Sequence, residues 1–129
     1  MSIKLLIVDD DTSLIRTLKN YLELKQFEVV AVSSGSTGIE VARQVEPDVI
    51  LLDLMMPGID GWQVCAAVRA FSRAPILIYS AVINPELVTR ALDEGANDYL
   101  VKPTPLGVVA SRLQRLARYA RANSLDDQF

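Results

Sequence analysis

Five side chains in this 129-residue chain have the types and placement to do chemistry together: Asp9, Asp10, Asp53, Ser80 and Lys102. Each stands at the end of a short apolar run. Asp9 and Asp10 follow Ile3–Val8, Asp53 follows Val49–Leu52, Ser80 follows Ile76–Tyr79, and Lys102 follows Asp98–Val101. If these runs are neighbouring parallel strands, all five residues meet on one sheet edge, the edge where open α/β sheets bind ligands. Clustered carboxylates repel one another in a partly buried site unless a cation is present. A hard divalent cation answers that, and magnesium suits a set of a few carboxylates completed by water. A carboxylate ringed by a metal, an ammonium and a hydroxyl is equipped for a transferred phosphoryl group. The carboxylate is the nucleophile, the metal and lysine neutralise the phosphoryl oxygens, and the hydroxyl donates to one of them. The plainer alternative is that the acids cap helices and that Ser80 and Lys102 are merely solvated. Their common position at strand ends favours the site.

The elements that must position these residues are legible in turn. Val49–Leu52 has no polar face, the mark of a strand buried on both sides in a parallel sheet. Pro57-Gly58 and Asp60-Gly61 then turn the chain, and Asp60 with Gln63 forms a capping box for the next helix. Phe27–Val32 is a β-branched strand with Glu28 facing out, nearer an edge. Leu14, Ile15, Leu18 and Leu22 repeat at helical spacing. Ser34 caps a second helix that carries Ile39, Val41, Ala42 and Val45 and ends before Pro47. Trp62, Val64, Cys65 and Val68 mark a third helix, with Trp62 expected to be half exposed. Asn84-Pro85-Glu86 opens a fourth and Gly95 stops it. Thr104-Pro105 opens a fifth, with Val108, Val109, Leu113, Leu116 and Ala117 inward. Five strands alternating with five helices predict an α/β fold, a parallel sheet covered on both faces. Residues 1–122 read as one domain, and 123–129, which lack periodicity, as a tail.

Composition narrows the function. Net charge is −3, so bulk charge gives no support for a nucleic-acid surface. The single cysteine, Cys65, excludes an internal disulfide and reads as a small packed residue. That usage fits a reducing compartment, and with no signal peptide and no apolar run of membrane length the expected location is cytoplasmic. There is no histidine to serve as base, phosphocarrier or metal ligand. Neither a P-loop nor Gly-x-Gly-x-x-Gly is present, so a phosphoryl group must come from a phosphohistidine protein or a small acyl phosphate.

From about Ile3 to about Arg118 the chain resembles a response-regulator receiver domain, the phosphorylatable module of two-component signalling. The resemblance rests on Val8-Asp9-Asp10-Asp11, on the stretch from Pro47 through Asp53 to Pro57-Gly58-Ile59-Asp60-Gly61, on Ser80-Ala81, on Gly95 to Tyr99, and on Lys102-Pro103. It implies strand order 2-1-3-4-5 and a flavodoxin-like doubly wound fold. It implies Asp53 as phosphoacceptor, magnesium held by Asp10, Asp53 and the backbone carbonyl of Met55, and Asp9 reaching it through water. Ser80 and Lys102 would bind the phosphoryl group, the Lys102–Pro103 bond would be cis, and Ser80 and Tyr99 would couple as the switch, Tyr99 turning inward. The implied partners are a histidine kinase or histidine phosphotransfer protein and a downstream target or fused output domain. The surface read would be the fourth helix, fifth strand and fifth helix. That surface also supports a phosphorylation-dependent homodimer in winged-helix relatives, where Asp98 and Arg112 match an ion pair but Val108 replaces an acid. Thr104 replaces the phenylalanine common after Lys-Pro. Met55 and Val82 put no polar group beside Asp53 to orient water, which implies a long-lived phosphorylated form. A competing resemblance, to haloacid-dehalogenase-type phosphatases, would make Asp9 the nucleophile and Asp11 the general acid.

Overall fold

The computed structural model describes residues 2–126, with side chains from 2 to 122. The strands are β1 (Ile3–Val8), β2 (Phe27–Val32), β3 (Val49–Leu52), β4 (Ile76–Ser80) and β5 (Asp98–Val101). They alternate with α1 (Thr12–Glu23), α2 (Gly35–Val45), α3 (Gly61–Arg69), α4 (Pro85–Asp93) and α5 (Leu106–Asp126). All strand pairs are parallel, in the order β2-β1-β3-β4-β5. β1 and β3 are therefore adjacent, with Val8 opposite Leu52, so the residues that follow them emerge side by side.

The period of two along β1 divides the core. Leu5 and Ile7 pack with Leu18 and Leu22 of α1 and Val109 and Leu113 of α5. Leu6 and Val8 face the other way, among Ala42 of α2, Val64 and Val68 of α3 and Ala91 of α4. Leu5, Leu6 and Ile7 are fully buried, which explains the unbroken apolar run. The starts of α2, α3 and α4 follow the expected chemistry, while at α5 the Thr104 hydroxyl is turned to the Val101 carbonyl instead of capping the helix. The Asp11 carboxylate accepts from Leu14 N–H, Ser34 accepts from Thr37 N–H, Asp60 and Gln63 form a capping box, and Asn84 accepts from Glu86 and Leu87 N–H.

Helix burial is uneven. α3 buries Gly61, Trp62, Val64, Cys65 and Val68, whereas α4 fully buries Ala91 alone. Trp62 is 6 % exposed, not half exposed as its place after a turn suggests, because α4 lies across its ring. Cys65 is packed as expected, and burial pushes its thiol above the ordinary value. α5 continues through Asn123 to Asp126, past the point where apolar periodicity stops; nothing from 123 to 126 is a Gly or Pro that would break it. Residues 127–129 of the expected tail lie outside the described residues. On α5, Arg115 and Arg118 are exposed, but Arg112 pairs with Asp98 at 2.8 Å and Arg121 with Asp48 at 3.0 Å.

Candidate functional site

The carboxyl ends of β1 and β3 deliver Asp9, Asp10 and Asp53 to one place. A carboxylate oxygen from each lies within 4.8 Å of the others. Asp9 and Asp53 are 3 % and 6 % exposed, while Asp10 faces solvent. Lys102, at the end of β5, reaches across β4 into the cluster. Its Nζ lies 2.8 Å from Asp9 Oδ2 and 3.4 Å from Asp53 Oδ2. Backbone donors complete the pocket: Asp11 N–H donates to Asp9 Oδ1 at 2.9 Å and Met55 N–H to Asp53 Oδ1 at 3.4 Å. The Met55 side chain itself points to solvent, 59 % exposed.

Burial raises the Asp9 carboxyl, outweighing the Lys102 hydrogen bond that lowers it. Burial alone would lower the Lys102 ammonium, but Asp9 and Asp53 together hold it above the ordinary value. The site is thus an excess of buried negative charge with one cation fixed among it. That donor set fits a hard divalent cation: three carboxylates converge, one of them open to water.

Ser80 is the last residue of β4 and wholly buried. Its Oγ accepts from Val82 N–H at 3.4 Å, which bends the chain towards α4. Tyr99, on the adjoining strand β5, is turned inward and packs on the α2–α4 side of the core, against Val82. Its hydroxyl donates to the Val82 carbonyl, and burial raises the phenol while the neighbouring Ser80 hydroxyl lowers it. Ser80, Val82 and Tyr99 therefore form one connected unit.

Tyr79 and Thr104 are parts of the site that their sequence positions do not announce. The Tyr79 ring lies under Lys102 Nζ, 5.6 Å from its centroid, and its hydroxyl accepts from Thr104 N–H at 3.1 Å. The Thr104 hydroxyl donates to the Val101 carbonyl at 2.6 Å. These bonds anchor the turn containing the Lys102–Pro103 peptide, which is cis as expected. The only sequence cue was an aromatic directly before Ser80, on the opposite face of its strand.

The family model described as the response regulator receiver domain matches residues 5–114. The chain belongs to that family. Among its curated relatives, the receiver is 39 % identical over 116 residues to the DNA-binding response regulator MtrA of Mycolicibacterium smegmatis, covering 89 % of this chain and 51 % of that protein. It is 34 % identical over 122 residues to the transcriptional regulatory protein AfsQ1 of Streptomyces coelicolor, covering 95 % of this chain and 54 % of the other. The receiver spans about half the length of these curated relatives. Among solved structures it is similar to the BeF3-activated N-terminal receiver domain of Klebsiella pneumoniae RstA. The TM-score is 0.85 at 32 % identity, over 89 % of this chain and 98 % of that one. The phosphatase resemblance is thereby corrected, and the geometry gives the reason. Asp11 is spent on capping α1, and Asp9 is buried against Lys102. Among the described residues, no helix is long and apolar enough to cross a membrane.

Proposed function

We propose that this receiver is a phosphorylation-activated switch that takes a phosphoryl group on Asp53. The observation that carries it is Lys102, whose ammonium touches both Asp9 and Asp53 in a buried carboxylate cluster. An Asp53 oxygen attacks phosphorus, the bond from phosphorus to the donor breaks, and the donor leaves with that electron pair. The product is an acyl phosphate on Asp53. Lys102 neutralises one phosphoryl oxygen and Ser80 donates its hydroxyl to another. Asp10, Asp53 and the Met55 carbonyl would hold magnesium, with Asp9 reaching it through water; the ion would screen charge on the incoming phosphoryl oxygens. The partner donor is a histidine kinase or histidine phosphotransfer protein, and a small acyl phosphate can take its place; neither requires a nucleotide-binding motif on the receiver.

Output passes through Ser80. If its hydroxyl moves onto the phosphoryl group, the bond from Val82 N–H is released and the segment into α4 is re-seated. Tyr99, already inward and bonded to Val82, belongs to the re-seated arrangement. The surface read is α4–β5–α5, by a downstream protein in the cytoplasm or by a fused output segment such as the names of the longer relatives suggest. A homodimer through the same surface would have to recruit Asp98 and Arg112, which pair within this chain.

The test is labelled acetyl phosphate with magnesium. Parent protein should incorporate label and Asp53→Asn none. Equal incorporation by Asp53→Asn would end the assignment.

A further inference from the structure

The indole of Trp62 is bound to α4. Its Nε1–H donates to the Leu87 carbonyl at 3.2 Å, and the Arg90 guanidinium lies 5.0 Å from the ring centroid. A carbonyl in the first turn of a helix already accepts from the N–H four residues on. The indole bond is therefore additional to the ladder of α4 and ties that helix to α3. Filling the space would need only an apolar ring; the bond and the stacked guanidinium are directional.

The other end of this tie is fixed at Asp53. Gly61 N–H donates to the Leu54 carbonyl at 3.0 Å. A Cβ on Gly61 would lie 2.3 Å from the Asp53 carbonyl oxygen and 2.6 Å from Leu54 Cα, so the start of α3 is seated directly on the backbone that bears the acceptor. Trp62 is the next residue. From the opposite side, the Tyr99 hydroxyl holds the Val82 carbonyl. The segment from Val82 to Arg90 is thus gripped by β5 and α3 together, while its own burial is slight.

We propose that Trp62, assisted by Arg90, is a positioning residue of the switch: it holds α4 in the arrangement that accompanies inward Tyr99, so that loading Asp53 and seating α4 favour each other. This rests on the phosphorylation switch proposed above. Two sites biasing one two-state element are coupled reciprocally, so weakening the α4 tie must weaken phosphoryl-site affinity.

The experiment is calorimetric titration with beryllofluoride and magnesium of parent, Trp62→Phe, Arg90→Gln and Asp53→Asn, each with a thermal melt. Trp62→Phe keeps an aromatic ring and loses the N–H; its affinity should fall about fivefold, the factor for one hydrogen bond of ~1 kcal/mol. Arg90 is exposed, so Arg90→Gln keeps the fold, and its affinity should fall about twofold, the scale of an exposed cation–π contact. A lower melting temperature with unchanged affinity in both variants would overturn the proposal, leaving Trp62 as packing. Tighter binding by either would also overturn it, since the tie would then hold the opposite arrangement. If Asp53→Asn titrates like the parent, the switch reading itself fails, a result separate from these.

Discussion

Replacing Lys102 with methionine removes the one cation among the described residues that contacts both Asp9 and Asp53, while keeping most of the stem's packing volume. What remains is a set of carboxylate oxygens within 4.8 Å of one another. Breaking a buried ion pair by removing one partner costs about 3–5 kcal/mol. The expected loss is about 3 kcal/mol of unfolding free energy at neutral pH, roughly 10 °C in melting temperature for a domain of this size. Urea unfolding followed by the fluorescence of the single, buried tryptophan reads it directly. The decisive comparison is Asp9→Asn in both backgrounds. Burial already disfavours the Asp9 charge, so neutralising it should return most of what Lys102→Met loses. A loss below about 1 kcal/mol, or no rescue by Asp9→Asn, would refute the view of Lys102 as the counter-charge of a strained cluster.

Magnesium should raise the parent's melting temperature, by about 1.4 kcal/mol of stability at tenfold excess over its dissociation constant; chelator should reverse this and Asp10→Ala should blunt it, as scanning calorimetry can check. Arg69 donates to the carbonyls of Gly95, Ser72 and Ala74 and to Asn97 Oδ1, so Arg69→Met should cost about 3 kcal/mol and speed amide exchange from Gly95 to Asp98. Gly61→Ala forces a Cβ onto the Asp53 carbonyl and should destabilise by at least about 2 kcal/mol in a urea titration. The Tyr99 phenol is raised by burial, so ultraviolet titration should show it ionising above the ordinary tyrosine value. A raised group stabilises below its unfolded value and loses that contribution as pH climbs through its folded one, so the stability advantage of parent over Tyr99→Phe should shrink in alkali.

The strands are legible because buried parallel strands leave uninterrupted apolar runs, as in Leu5–Val8 and Val49–Leu52, whereas their order comes from the family resemblance and not from the runs themselves. The acidic cluster was legible because strand ends fix where the next residue goes. Trp62 is buried rather than half exposed because its cover comes from α4, some twenty-five residues on, and no local pattern encodes that packing. The same holds for Tyr79, whose hydroxyl is used by Thr104 across the β4–α5 gap, and for Arg69, whose acceptors are scattered backbone carbonyls. Tyr99 was placed on the correct strand, but only packing could show that it stands inward against Val82. The last helix runs past Asn123, where the tail is expected to begin, since apolar spacing reports contact with the sheet and a helix can outrun its contacts.

The shallow seating of α4 carries a thermodynamic consequence. A helix whose only fully buried residue is Ala91 has little apolar area to lose when it detaches. Its opening free energy should therefore lie far below that of β1 and β3, and its amides should exchange through local opening while the central strands wait for global unfolding. Such an element is inexpensive to reorganise, and a modest ligand can do it. A partner that grips α4 needs only a few kcal/mol of preference for one arrangement to change its population substantially. By linkage, that partner must also change how tightly Asp53 retains its phosphoryl group, so the reader of the signal becomes one of its regulators.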